Sequence, residues 1–201
     1  MRILTVCTGN ICRSPLAAQL LASRLDPAVF EVASAGTSPV IDDQMPHTAQ
    51  RIAERLGVVS PESHRAAALT PEALQQADLV LGMDREHRRW AAQLEPTAVR
   101  RSFTLIEFAH IVTQADCDKM SDLIDATENI EMAALKAVMR MRGVVPRLRP
   151  ERAYDVEDPY GRSKQVYERS SRQILRAVED VVAFFDRARS LAPNAAQKAP
   201  R

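Results

Sequence analysis

One short stretch restricts the fold more than any other: VCTGNICRSP, residues 6–15. Before it, Ile3-Leu4-Thr5-Val6 is short, branched and apolar, and reads as a buried strand. After it, Pro15 opens an apolar run to Ala22 that reads as a helix with proline in its first turn. A strand, a tight polar loop and a helix start in succession make an anion site, because loop N–H groups and the helix's positive end face the same point. Cys7 and Arg13 bracket a loop short enough to close into a ring. Arg13 offers a planar fork that matches two phosphate oxygens. Cys7, on the floor of such a ring, meets positive potential that favours the thiolate, its nucleophilic form. Gly9 suits close backbone approach or a positive φ. A cysteine here could also be a plain buried hydrophobe. The placement of Gly9 and Ser14 between strand and helix favours chemistry.

The first hundred residues repeat the alternation of short strands and helices, which predicts a parallel α/β sheet. Strands are expected at 2–7, 30–34, 78–83 and about 101–105, and helices at 15–25, 46–56, 70–77 and 84–93. Thr70-Pro71 reads as a cap followed by proline at the first helical position. A long helix is expected over 163–188, with Val166, Ile174, Val178, Val181, Val182 and Phe185 on its apolar stripe. Residues 110–152 interrupt the pattern. Six acids lie between Asp116 and Glu131, a helix is predicted over 128–142 with Gly143 at its end, and five arginines follow from Arg140 to Arg152. The acidic and basic halves could simply pair with each other or with water. A single domain over 1–188 with an insert at about 110–152, then a disordered tail over 189–201, is the expected organisation.

Composition narrows the function classes. With 27 basic and 26 acidic residues the chain has no charge excess of the kind a nucleic-acid binder needs. No apolar run approaches the roughly 20 residues of a membrane span, and the N-terminal strand is too short for a signal core. Three cysteines, Cys7, Cys12 and Cys117, do not make a secreted disulfide framework, so a cytoplasmic location is expected. His47, His64, His87 and His110 show no metal-ligand spacing, and no metal or cofactor is expected.

CTGNICRSP resembles the signature of the low-molecular-weight protein tyrosine phosphatases. Ser34-Ala35-Gly36, Ser63-His64, the stretch from Asp78 to Asp84 and Asp158-Pro159-Tyr160-Gly161 extend the resemblance over 1–105 and 155–188. It implies a four-stranded parallel sheet flanked by helices, with the phosphate-binding loop between the first strand and first helix. It implies Cys7 as nucleophile, Thr8 to Ser14 as the phosphate-binding loop with Arg13 on the phosphate oxygens, and Asp158 as the acid that protonates the leaving oxygen and then activates water. Asp155 and Glu157 are rival carboxylates; resemblance alone selects Asp158. By the same resemblance Ser14 donates to the sulfur of Cys7. Asn10, Ser34 and His64 hold the loop, and Cys12 is a candidate for a reversible disulfide with Cys7.

Substrate class also rests on the resemblance. Phosphoarginine phosphatases of the family carry threonine where this chain has Ile11, and an apolar side chain there suits an aromatic ring. Tyr160 resembles an aromatic wall beside that ring. The loop from Thr37 to Asp42 lacks the opposite aromatic. The implied substrate is a phosphotyrosine protein, as in bacterial relatives that act on tyrosine autokinases governing polysaccharide export. Phosphoarginine hydrolysis, arsenate reduction and non-catalytic phosphotyrosine binding are the alternatives. The insert's arginines could dock acidic sequence.

Overall fold

The computed structural model describes residues 1–114 and 129–191. Four strands form one sheet: β1 Arg2–Cys7, β2 Glu31–Gly36, β3 Leu79–Gly82 and β4 Ser102–Thr104. Their order is β2-β1-β3-β4, and every pair is parallel. The helices are α1 Arg13–Ala22, α2 His47–Arg55, α3 Pro71–Gln76, α4 Arg85–Leu94, α5 Leu105–Thr113, α6 Ile130–Met141 and α7 Lys164–Leu191.

Side chains alternate across the strands and so divide the core in two. Ile3, Cys7, Leu79, Leu81 and Phe103 face the larger cluster, which α1, α5 and α7 cover. Leu4, Val6, Ala35 and Val80 face the smaller one, with Leu74 of α3 and Ala91 of α4. All five phenylalanines meet on the larger side. Phe108 lies edge-on to Phe103 at 5.3 Å, and Phe30 touches Phe185 at 5.0 Å. This cluster ties α5 and α7 to the sheet.

The strand and helix alternation is as expected, with shifted edges. β2 runs Glu31–Gly36 instead of 30–34, and α1 begins at Arg13, two residues ahead of Pro15. Thr70 Oγ1 accepts from Ala73 N at 3.2 Å, as its cap reading requires. The alternation does not end at 110. α5 follows β4 directly, started by a capping box in which Thr104 Oγ1 accepts from Glu107 N and Glu107 Oε2 accepts from Thr104 N. α6 also forms where expected, capped by Asn129, and Gly143 sits just past its end at φ +91°. α7 reaches Leu191, so residues 189–191 are helical and not part of a tail. Residues 192–201 and the acids from Asp116 to Glu128, with Cys117 among them, lie outside the described residues. Glu131, the described member of the acidic half, pairs with Arg189 of α7 at 3.5 Å, not with the basic half.

Because Phe108 contacts three other rings, Phe108→Ala should lower unfolding free energy by about 3–5 kcal/mol in urea titration. A loss under about 1 kcal/mol would show that α5 is not part of the cooperative core.

Candidate active site

The loop between β1 and α1 lies where the parallel strands end, with Gly36 of β2 on one side and Met83, beyond β3, on the other. Thr37 N donates to Cys7 O at 3.0 Å, and Met83 N donates to Val6 O at 2.7 Å. Cys7 is the last residue of β1 and is 3 % exposed. Its sulfur accepts from Ser14 Oγ at 3.0 Å and from Asn10 N at 3.2 Å. Two donors aimed at one sulfur stabilise negative charge there.

Asn10 is the keystone of the loop's shape. Its backbone sits at φ +53°, a left-handed position that asparagine tolerates better than most residues; Gly9 is not in that region. Asn10 Nδ2 donates to Ser14 Oγ and Ser34 Oγ, both at 2.9 Å, while Oδ1 accepts from Ala67 N at 2.9 Å. His64 Nε2 donates to Asn10 O at 2.6 Å. The expected network of Asn10, Ser14, Ser34 and His64 is therefore assembled. Gly36 is required by close approach: a Cβ there would lie 2.6 Å from Thr8 O.

Arg13 is 4 % exposed and holds three oxygens. Nη1 donates to Asp84 Oδ2 at 3.2 Å and to Val156 O at 3.3 Å, and Nη2 pairs with Asp158 Oδ2 at 3.0 Å. Of the three rival carboxylates, Asp158 is the one that reaches this guanidinium. Asp155 is bound by Arg85 through both oxygens, and Glu157 by Arg169 at 2.8 and 2.9 Å. The insert leaves this loop anchored, since Val156 N donates to Met83 O at 2.8 Å.

Sequence reasoning missed the support behind Arg13. Asp84 caps α4 by accepting from His87 N, and its carboxylate lies 2.8 Å from His87 Nδ1. His87 Nε2 lies 2.9 Å from Thr8 Oγ1. Burial alone would raise the Asp84 pKa; the His87 contacts and Arg13 outweigh it and hold it down at about 2. An Asp three residues before a His, just after a strand of this sheet, was the available signal.

Cys12 is buried, and its sulfur lies 3.7 Å from Tyr167 Oη of α7. Burial, reinforced by the charges of Cys7 and Asp158, pushes its thiol up to about 11, against the Tyr167 bond and Arg13. Ile11 is mostly buried and packs in the core, while Tyr160 stands exposed beyond Asp158, its N–H donating to Asp158 Oδ1 at 3.2 Å.

Residues 2–122 match the family model for low molecular weight phosphotyrosine protein phosphatases. The chain belongs to this family. It is 43 % identical over 94 residues to the phosphatase Etp of Escherichia coli K12, covering 47 % of this chain and 62 % of Etp, under two thirds of that relative's length. It is 33 % identical to the probable phosphatase AmsI of Erwinia amylovora, over 68 % of this chain and 94 % of AmsI. A protein-arginine-phosphatase of Geobacillus stearothermophilus is 37 % identical over 53 % of this chain and 70 % of its own. The solved structure of AmsI superposes with a TM-score of 0.63 over 90 % of this chain and 91 % of its own, at 23 % identity. The fold of the family, a four-stranded parallel sheet with flanking helices, is thus the fold of this chain. Among the described residues no helix is long and apolar enough to cross a membrane.

His64 gives a pH test of the loop network. Burial and nearby Arg65 lower its pKa below 6.5, against the bond to Asn10. The unfolded chain therefore takes up a proton that the folded chain refuses, and stability falls as pH drops below about 6.5. In urea midpoints measured from pH 8 to 5, wild type should lose more stability than His64→Gln. Parallel curves would show that His64 does not titrate against folding.

Proposed function

We propose that this chain is a protein-tyrosine phosphatase that works through a cysteinyl-phosphate intermediate. The convergence of three groups carries the reading: a doubly hydrogen-bonded Cys7 sulfur, the Arg13 fork at the start of α1, and Asp158 on that fork. Cys7 Sγ attacks phosphorus, forming an S–P bond as the bond from phosphorus to the phenolic oxygen breaks. Arg13 and the N–H groups of Thr8 to Ser14 hold the equatorial oxygens. Asp158 gives its proton to the departing phenolate. Water then attacks phosphorus, the Asp158 carboxylate takes the water proton, and Cys7 leaves as thiolate. Ser14 and Asn10 stabilise that thiolate in both steps.

The phosphotyrosine preference rests on apolar surface around the loop. Val40 and Ile41 are both more than half exposed, on the segment whose Ser38 N donates to Thr8 O. With Tyr160 they offer apolar contacts for an aromatic ring. Ile11, largely buried beneath the loop, is the further residue we assign to the pocket, as part of its apolar base. The arginine phosphatase among the relatives makes phosphoarginine the competing substrate. The cellular substrate we propose is a tyrosine autokinase of polysaccharide export, met in the cytoplasm.

Phosphate release should be measured on matched phosphotyrosine, phosphoserine and phosphoarginine peptides. Wild type should act on phosphotyrosine, Cys7→Ser on none, and Asp158→Ala should retain about 1 % or less of wild-type kcat. Comparable phosphoarginine turnover would overturn the specificity. Full activity in Asp158→Ala would overturn the assigned acid.

A further inference from the structure

Beside the loop that carries Asp158 lies a second concavity, a groove of about 920 Å³. One wall is α4, with Arg85, Arg88 and Arg89; the other is the strap after α6, with Arg142, Arg147 and Arg149. None of Cys7, Arg13 and Asp158 lines it. The groove and the catalytic loop nevertheless share an end of the sheet. Arg85 follows Asp84, which holds Arg13, and Arg85 also grips Asp155, three residues before Asp158.

The strap is fixed in place. The Arg142 guanidinium stacks on Phe103 at 4.1 Å and donates to Ser102 O at 2.7 Å and to Glu107 at 3.0 Å. His110 Nε2 donates to Pro146 O at 2.8 Å, and Leu148 N donates to Tyr154 Oη at 2.8 Å. Charge in the groove does not cancel. Arg85 is matched by Glu151 and Asp155, and Arg89 by Glu86. Arg88 and Arg142 share the one carboxylate of Glu107. Arg147 and Arg149 are exposed and have no carboxylate within ion-pair distance among the described residues. A preformed, solvent-open, positively charged groove next to the loop of Cys7 fits an extended acidic segment.

We propose that this groove docks the acidic flank of a phosphotyrosine protein while its phosphotyrosine occupies the loop of Cys7. The proposal rests on the phosphatase reading and adds to it the sequence context of the substrate. Arg147 and Arg149 are its specificity residues; the paired arginines shape the walls.

The test compares Arg147→Ala/Arg149→Ala with wild type. The substrates are a phosphotyrosine peptide flanked by aspartates and glutamates, the same peptide with asparagines and glutamines, and p-nitrophenyl phosphate. Wild type should favour the acidic peptide by about fivefold or more in kcat/KM, through KM, and the preference should fade at high salt. The double variant should lose the preference and leave p-nitrophenyl phosphate turnover unchanged. A wild-type ratio near one, as would follow if the chain's own acids filled the groove, overturns the proposal. So does a ratio that survives in the variant. Peptide affinity measured by fluorescence anisotropy on Cys7→Ser, with and without the two arginines, decides the groove independently of turnover. Absence of turnover on every substrate would instead overturn the phosphatase reading.

Discussion

The left-handed backbone of Asn10 is the constraint on which the site depends. A residue at φ +53° turns its own N–H toward the Cys7 sulfur and its carbonyl toward His64. Its side chain meanwhile joins α1, β2 and the segment around Ala67 through Ser14, Ser34 and Ala67 N. One buried amide thus satisfies groups from three elements. Strain at one residue is tolerable because the surroundings over-determine it. The same bonds leave Ser14 free to donate to sulfur, since its hydroxyl oxygen is already accepting from Asn10.

Around that loop, charge is arranged in two layers. Arg13 is nearly buried, and burying an unpaired guanidinium would be very costly. Asp84 is ionised behind it and is itself tied to His87, which reaches Thr8 at the loop's far edge. The carboxylates nearer solvent are divided by their partners: Asp155 to Arg85, Glu157 to Arg169, Asp158 to Arg13. Ion pairs outside the site therefore leave Asp158 as the carboxylate of the three that reaches Arg13.

Much of this was legible in the chain. The run into Cys7 and the helix after Arg13 follow from apolar periodicity and a proline near a helix start, and the parallel sheet follows from their repetition. What was hidden depended on long-range pairing. His87 looks like a surface helix residue until the sheet brings Thr8 against it. Asp158 could not be separated from Asp155 and Glu157 because Arg85 and Arg169 are distant in sequence. α5 was missed although Thr104 and Glu107 carry its capping box, because β4 is only three residues long and ends where the helix begins. Glycine was the natural guess for a positive φ in the loop, and asparagine took it because its side chain gains three bonds there.

Covalent capture of the phosphoryl group by Cys7 is what the proposed function requires. Wild-type protein mixed with a phosphotyrosine peptide, quenched within milliseconds and mapped by mass spectrometry would test it directly. The expected result is a phosphoryl group on the peptide that contains Cys7, forming and decaying at rates compatible with turnover. Turnover with Cys7 unmodified at every time point, or a phosphoryl group on another residue, would contradict it.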